Sequence, residues 1–217
     1  MTVANDSISV TPGTGATVAT HLVNSKEHQV VMVADEMGYI AGSVPRYRLI
    51  IPSQAVGANK VYMDLFNASG SGKVVRVVSV FAYADNDTAV TGTLGVEIAL
   101  SRTTAVGTGG TAAVNDGTTL TAATISRMDT DDPVVPAQIT ARSAPTGGAT
   151  AGAYLGSRWI FTEETAAPSG IAGTLGADLI RNDGSKLILR EGGGMRILQG
   201  AVASVGNIAL EINFELF

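Results

Sequence analysis

Apolar residues recur at every second position in the two best-defined segments of the sequence. From Thr93 to Ser101, Leu94, Val96, Ile98 and Leu100 fall on one side, and Thr93, Gly95, Glu97 and Ala99 on the other. Near the C-terminus Ile208, Leu210, Ile212, Phe214 and Leu216 alternate with Ala209, Glu211, Asn213 and Glu215. A period of two predicts a strand with one core face and one wetter face. Val74 to Tyr83 is instead nearly continuously apolar, which predicts a strand inside a sheet, covered on both faces. Val61–Phe66 precedes it across a Gly/Ser turn, Asn67–Gly72, so Val61–Arg102 reads as three strands with the first turn a hairpin.

Elsewhere the signals are shorter. Arg46–Ile51 lies between Pro45 and Pro52, and proline margins block further ladder bonding, so it reads as an edge strand. Gln29–Val33 is a short strand ended by a turn at Asp35–Gly38. Thr103–Thr124 is a long Thr/Ala/Gly-rich loop with a turn at Asn115-Asp116-Gly117, and Asp129–Pro136 and Ala144–Ala149 are irregular. Ser157–Phe161 is a strand carrying the only tryptophan, Trp159, which a chain so poor in aromatics is expected to use as a core anchor. Leu187–Leu189 and Met195–Leu198 complete the set. No segment has a sustained period of 3.6, so the expected fold is all-β, a β-sandwich or jelly roll of roughly eight short strands. Met1–Thr20 is small, polar and broken by Pro12, Gly13 and Gly15, and predicts an extended N-terminal arm. The expected organisation is residues 1–40 as that arm with a short strand, and residues 41–217 as a single β-domain.

Composition narrows the function more than the fold. With 217 residues the chain can bury a real core, and with no cysteine it has neither disulfides nor thiolate chemistry. Only 15% of residues are charged, which favours burial against copies or partners over life as a free monomer. The net charge of −5 and the lack of a basic stripe argue against a nucleic-acid partner. Neither a signal segment nor an apolar run of about 18 residues is present, so no membrane association is expected.

Asn67–Lys73 ends in Gly72-Lys73 like a phosphate loop, but Asn67 stands where glycine is required and Val74 where a hydroxyl would hold magnesium. Asp129, Asp131 and Asp132 could offer oxygens to a hard cation, yet lack the glycine and distal glutamate of a calcium loop. His21 and His28, the two histidines, lie in or near the arm with no cysteine in the chain, so a metal pair or catalytic base is not expected, and no Gly-x-Ser-x-Gly elbow occurs. Glu163-Glu164 and Glu191 give no readable carboxylate pair for glycoside hydrolysis. No catalytic, cofactor-binding or metal-binding residue is assigned, and a non-enzymatic protein is expected. Arg46 and Arg48 fit a solvated edge or a contact to an acidic partner surface.

Several blocks taken together resemble structural proteins of tailed bacteriophages, of the kind that decorate or cement the head or serve as small tail and fibre components. They are Val10–Ala19, Leu65–Lys73, Ser101–Gly110, Pro136–Ser143 and Leu189–Arg196. The resemblance spans most of the chain but rests on turns and strands. It implies a decoration or cement protein, a homotrimer on the major capsid protein, located in the virion and assembled in the host cytoplasm. Under it the arm, with Val10, Pro12 and Val18, and the pair Arg46 and Arg48 become the candidate capsid contacts. A tail- or fibre-associated receptor-binding or adaptor module is the alternative.

Overall fold

The computed structural model describes residues 20–23, 26–29, 44–85, 92, 95–147, 151–162, 176–180 and 186–217. The chain divides into two compact units, Met1–Ser43 and Val44–Phe217. Of the first, the described backbone is a hairpin, β1 (Thr20–Val23) antiparallel to β2 (Lys26–Gln29), with His21 opposite His28. Apart from Thr20 and Gln29, the arm expected at Met1–Thr20 and the strand expected at Gln29–Val33 lie outside the described residues, as do Val10, Pro12 and Val18.

The second unit is a β-sandwich, with no helix among the described residues. Its strands are β3 (Arg46–Ala55), β4 (Val61–Asn67), β5 (Val75–Ala84), β6 (Gly95–Thr103), β7 (Thr111–Ala112), β8 (Val114–Asn115), β9 (Thr124–Arg127), β10 (Ile139–Ser143), β11 (Ala151–Phe161), β12 (Gly176–Ile180), β13 (Leu187–Leu189), β14 (Gly193–Gln199) and β15 (Asn207–Leu216). A six-stranded sheet runs β11-β6-β14-β4-β10-β7. The facing sheet runs β12-β5-β15-β3-β9-β8, with β13 also paired to β5. Every pairing is antiparallel except β8 with β9.

The core follows from alternation. Tyr47, Leu49 and Ile51 of β3 and Ile208, Leu210, Ile212, Phe214 and Leu216 of β15 face inward. They meet Met63, Leu65, Val96, Ile98, Leu100, Met195 and Ile197 of the other sheet in one apolar cluster. Burying such side chains stabilises by roughly 1.5–3 kcal/mol each. The inward sets expected for Thr93–Ser101 and for the last strand are thus observed, Leu94 excepted because it lies outside the described residues.

Four expectations are corrected. First, Asn67–Lys73 is not a hairpin: β4 and β5 lie in opposite sheets, and the turn is an arch that carries the chain across the sandwich. Alternation fixes which face of a strand is apolar, but leaves the choice of sheet open. Second, β5 is an interior strand, yet its outer face is only half-covered. Its buried residues change from Val75 and Val77 to Val80 and Ala82, with Val78 the extra residue where the register with β15 shifts. A bulge swaps the faces within one strand, and this makes the sequence look continuously apolar. Third, Arg46–Ile51 is not an edge strand, because β3 lies between β15 and β9. Pro52 is accommodated inside β3 where the register with β15 shifts between Ile208 and Leu210. Fourth, Trp159 is not a core anchor. It is 54% exposed, because Ile160 takes the inward position of β11 and turns both neighbours outward.

Thr103–Thr124 contains β7 and β8. With only Ala113 between them, they end one sheet and the other in turn, and so close that side of the sandwich.

Candidate functional site

The polar residues that invited chemical readings are engaged in holding loops. Asn67 is buried at the end of β4 and its Nδ2 donates to the carbonyls of Lys73 (2.8 Å) and Leu189 (3.1 Å). Glu191 Oε1 accepts from Gly72 N–H (2.7 Å) and from Ser71 Oγ (3.3 Å), and these bonds hold its carboxyl below the usual range. Gly70 and Gly72 adopt φ of +84° and +64°, so the arch is built from residues free of a Cβ penalty.

The aspartates at 129–132 are spent in the same way. Asp129 Oδ1 accepts from Asp131 N–H (3.0 Å), and Asp132 Oδ2 accepts from the backbone N–H of Arg46 (2.9 Å). Arg127 donates to the carbonyls of Thr130 and Asp132 while pairing with Asp116 at 2.9 Å. Tyr47 closes this corner, its hydroxyl donating to the carbonyl of Pro133 (2.7 Å), and burial pushes its pKa up to about 12. No group of three or more His, Asp or Glu with metal-binding placement occurs among the described residues.

Arg46 and Arg48 point outward from β3 and find carboxylates within the chain. Arg46 pairs with Glu215 (3.2 Å), whose other oxygen accepts from Arg76 Nε (2.6 Å). Arg48 pairs with Glu211 (3.2 Å) and donates to Asn213 Oδ1 (3.0 Å). The strand register β3-β15-β5 brings this row together, aligning Arg46, Glu215 and Arg76 across three strands. Arg76 also lies 4.2 Å from the ring of Phe217. The two arginines therefore brace the outer face of their own sheet.

A different surface stands out on the other sheet. β11 pairs only with β6 among the described residues, and its exposed side chains include Tyr154 (62%), Leu155, Trp159 and Phe161 (57%). The bed for the rings is Gly95, opposite Phe161: a Cβ there would lie 3.3 Å from Trp159 Cζ3 and 3.6 Å from Phe161 Cε1. A glycine at this point lets the rings lie down on the backbone with their far faces toward solvent. Glu97, opposite Trp159, accepts from Ser157 Oγ at 2.9 Å, which puts a polar pair beside the rings. Ser204 Oγ donates to the Gly95 carbonyl (2.7 Å) and Thr162 Oγ1 to the Val205 carbonyl (2.6 Å). These bonds fasten exposed Val202 and Val205 alongside the aromatic strip. Large apolar side chains exposed in this number along one strand and its neighbouring loop point to an interaction surface.

Sequence reasoning missed this surface, having placed Trp159 inside. The available signal was Trp159-Ile160-Phe161, three apolar residues in a row, which on a half-buried strand must leave either the middle one or both flanking ones outside. Comparison with family models, curated proteins and solved structures returned no match.

Proposed function

We propose that this chain is a non-enzymatic structural component of a tailed-bacteriophage virion, a decoration or cement protein that binds the major capsid protein and stabilises the head. The aromatic edge of β11 carries the reading: a rigid sandwich presents Tyr154, Trp159 and Phe161 on a strand that pairs only with β6 among the described residues, where a partner can cover them. The resemblance of Val10–Ala19, Leu65–Lys73 and Ser101–Gly110 to such proteins supports the same role. The carboxylates and arginines described above act in loop anchoring and sheet bracing, which suits a scaffold. In this reading the protein works mechanically as a homotrimer, many copies each contributing modest apolar burial, with avidity across the shell. Co-sedimentation of the protein with undecorated heads tests it. Saturable binding at many sites per head, lost in a Trp159→Asp/Phe161→Asp variant, is expected; a protein that stays in the supernatant refutes the role.

One observation favours a second reading, a tail-associated receptor-binding module. Open aromatic faces beside the Ser157–Glu97 hydrogen bond offer both stacking and polar contacts to a host glycan. Binding of the protein to host cells in place of heads would select this reading.

A further inference from the structure

The exposed apolar side chains of the second unit are not scattered. Apart from Ile50 and Val106, the large ones among the described residues fall at the two ends of the sandwich. Both sheets finish together at each end: β11 lies against β12 at one, and β7 and β8, joined through Ala113, stand at the other with β9 beside β8. The β11 end carries the aromatic strip, with Val202 and Val205 fastened next to it. The far end carries Val114 on β8, Leu120 between β8 and β9, and Met128 and Val134 on the segment after β9. Leu120 is 93% exposed, which leaves an aliphatic side chain almost wholly in water.

Both ends are held in shape. At the far end the Tyr47 hydroxyl holds the Pro133 carbonyl, Asp132 holds the N–H of Arg46, and Arg127 pairs with Asp116. Asn115 Nδ2 adds a bond to the Val135 carbonyl (3.4 Å). At the other end the rings of Trp159 and Phe161 lie on Gly95. Such preorganisation lowers the ordering cost of an association. β7 and β8 have two residues each, too short to continue a sheet, so the far end offers side chains and not a backbone ladder.

Each patch also carries unpaired charge, of opposite sign. Arg158 is exposed on β11; its Nη1 donates to the Ser157 carbonyl (3.0 Å), and no carboxylate among the described residues pairs with it. Asp129 and Asp131 are exposed beside Met128 and pair with no Lys or Arg among the described residues. Asp178 of β12 stands opposite Phe81, on the outer face of the other sheet, and so lies off the β11 patch. Joining two β11 ends leaves the far patch bare, and joining two far ends sets Asp129 and Asp131 against their own kind. Unlike ends cover both patches and bring Arg158 to the aspartates, and charge complementarity of this sort fixes partner and register.

We propose that copies of this chain join head to tail, the β11 end of one seated on the β7-β8-β9 end of the next. The inference rests on the reading of β11 as a contact edge and names its occupant. A joint between two different patches is heterologous, so it builds a ring where the rotation closes and a filament where it does not.

The test is sedimentation velocity of the whole protein, without heads, over a wide range of concentration. Reversible association is expected, with the Trp159 emission shifting blue as copies join. Trp159→Asp/Phe161→Asp removes one end and Leu120→Asp/Val134→Asp the other. Each should weaken association about thirty-fold or more, the loss typical of truncated anchors. Equal parts of the two variants, each monomeric alone, should form a one-to-one dimer and nothing larger, since one live end of each kind is left. Arg158→Glu should weaken association several-fold, and Asp131→Arg in the same chain should restore it. Unfolding midpoints of all variants serve as the folding control. A protein monomeric throughout, association unchanged by loss of the far end, or a mixture of the two variants that stays monomeric overturns the proposal. Association without binding to heads refutes the virion role alone, and decorated heads with a protein that stays monomeric refute the joint alone.

Discussion

Replacing Gly107 by alanine isolates one buried contact. Gly107 N–H donates to Asp64 Oδ2 at 2.5 Å, and Asp64 is fully buried in the middle of β4. An added Cβ would lie 2.1 Å from that same oxygen and 2.8 Å from Pro145 Cβ. Neither neighbour is a flexible chain end, so the loop must withdraw by more than an ångström, and the hydrogen bond breaks. Asp64 Oδ1 already has no hydrogen-bond partner, so the carboxylate is left poorly satisfied in a dry site. A hydrogen bond to a charged group is worth about 1.5–3 kcal/mol, and leaving its buried acceptor unpaired adds to that. The expected loss is about 2–4 kcal/mol by urea denaturation at neutral pH, or roughly 5–15 °C in melting temperature for a unit of this size. Gly70→Ala is the reference. Gly70 has φ +84° and nothing within 4 Å of its Cβ position, so only backbone strain of about 1–2 kcal/mol is paid. If Gly107→Ala is no more destabilising than Gly70→Ala, the loop is not clamped to Asp64 in solution and the reasoning fails.

Three further outcomes follow from the same contacts. Burial raises the Asp64 pKa above the ordinary carboxylate value, so the stability it contributes is fully present below that value and is lost as pH rises through the raised one. Unfolding curves across that window should therefore move in favour of Asp64→Asn as pH increases; parallel curves would contradict the burial argument. Glu215→Gln removes the carboxylate that bridges Arg46 and buried Arg76 and should cost about 3–5 kcal/mol, whereas Arg76→Met with Glu215→Leu should recover most of it in a double-mutant cycle. Trp159, the single tryptophan, should emit at the red-shifted wavelength of a hydrated indole and be readily quenched by iodide, and Trp159→Ala should cost less than about 1 kcal/mol. A blue-shifted, protected emission would place the ring inside a contact.

The sequence and the structure part company at identifiable places. Faces were readable wherever a strand kept one register, as in β15, because alternation is a local property of the pleat. They were misread where a bulge changed the parity at Val78 and where Trp159-Ile160-Phe161 allowed two parities. Sheet membership was not readable at all. The Asn67–Lys73 turn has the Gly/Ser composition of a hairpin but spans two layers, because what fixes it is the distant carbonyl of Leu189 and the carboxylate of Glu191. The partners of Arg46 and Arg48 were hidden for the same reason, as Glu215 and Glu211 lie at the far end of the chain. The two apolar ends are set by strand order alone, and no spacing in the sequence marks them.

The position of β15 has a kinetic consequence. This strand lies between β5 and β3, and its pairings join Glu215 to Arg46 and Leu216 to Val75. Until Asn207–Leu216 has been synthesised, β3 and β5 cannot be joined through it and their apolar faces lack a neighbour. Assembly of most of the seven-stranded sheet therefore waits for β15, and loop closure over such separations places folding in the slow class of roughly milliseconds to seconds. Nascent chains stalled before Asn207 should be protease-sensitive and bound by chaperones, and extension through Leu216 with β15 free to fold should convert them to the resistant fold in one step.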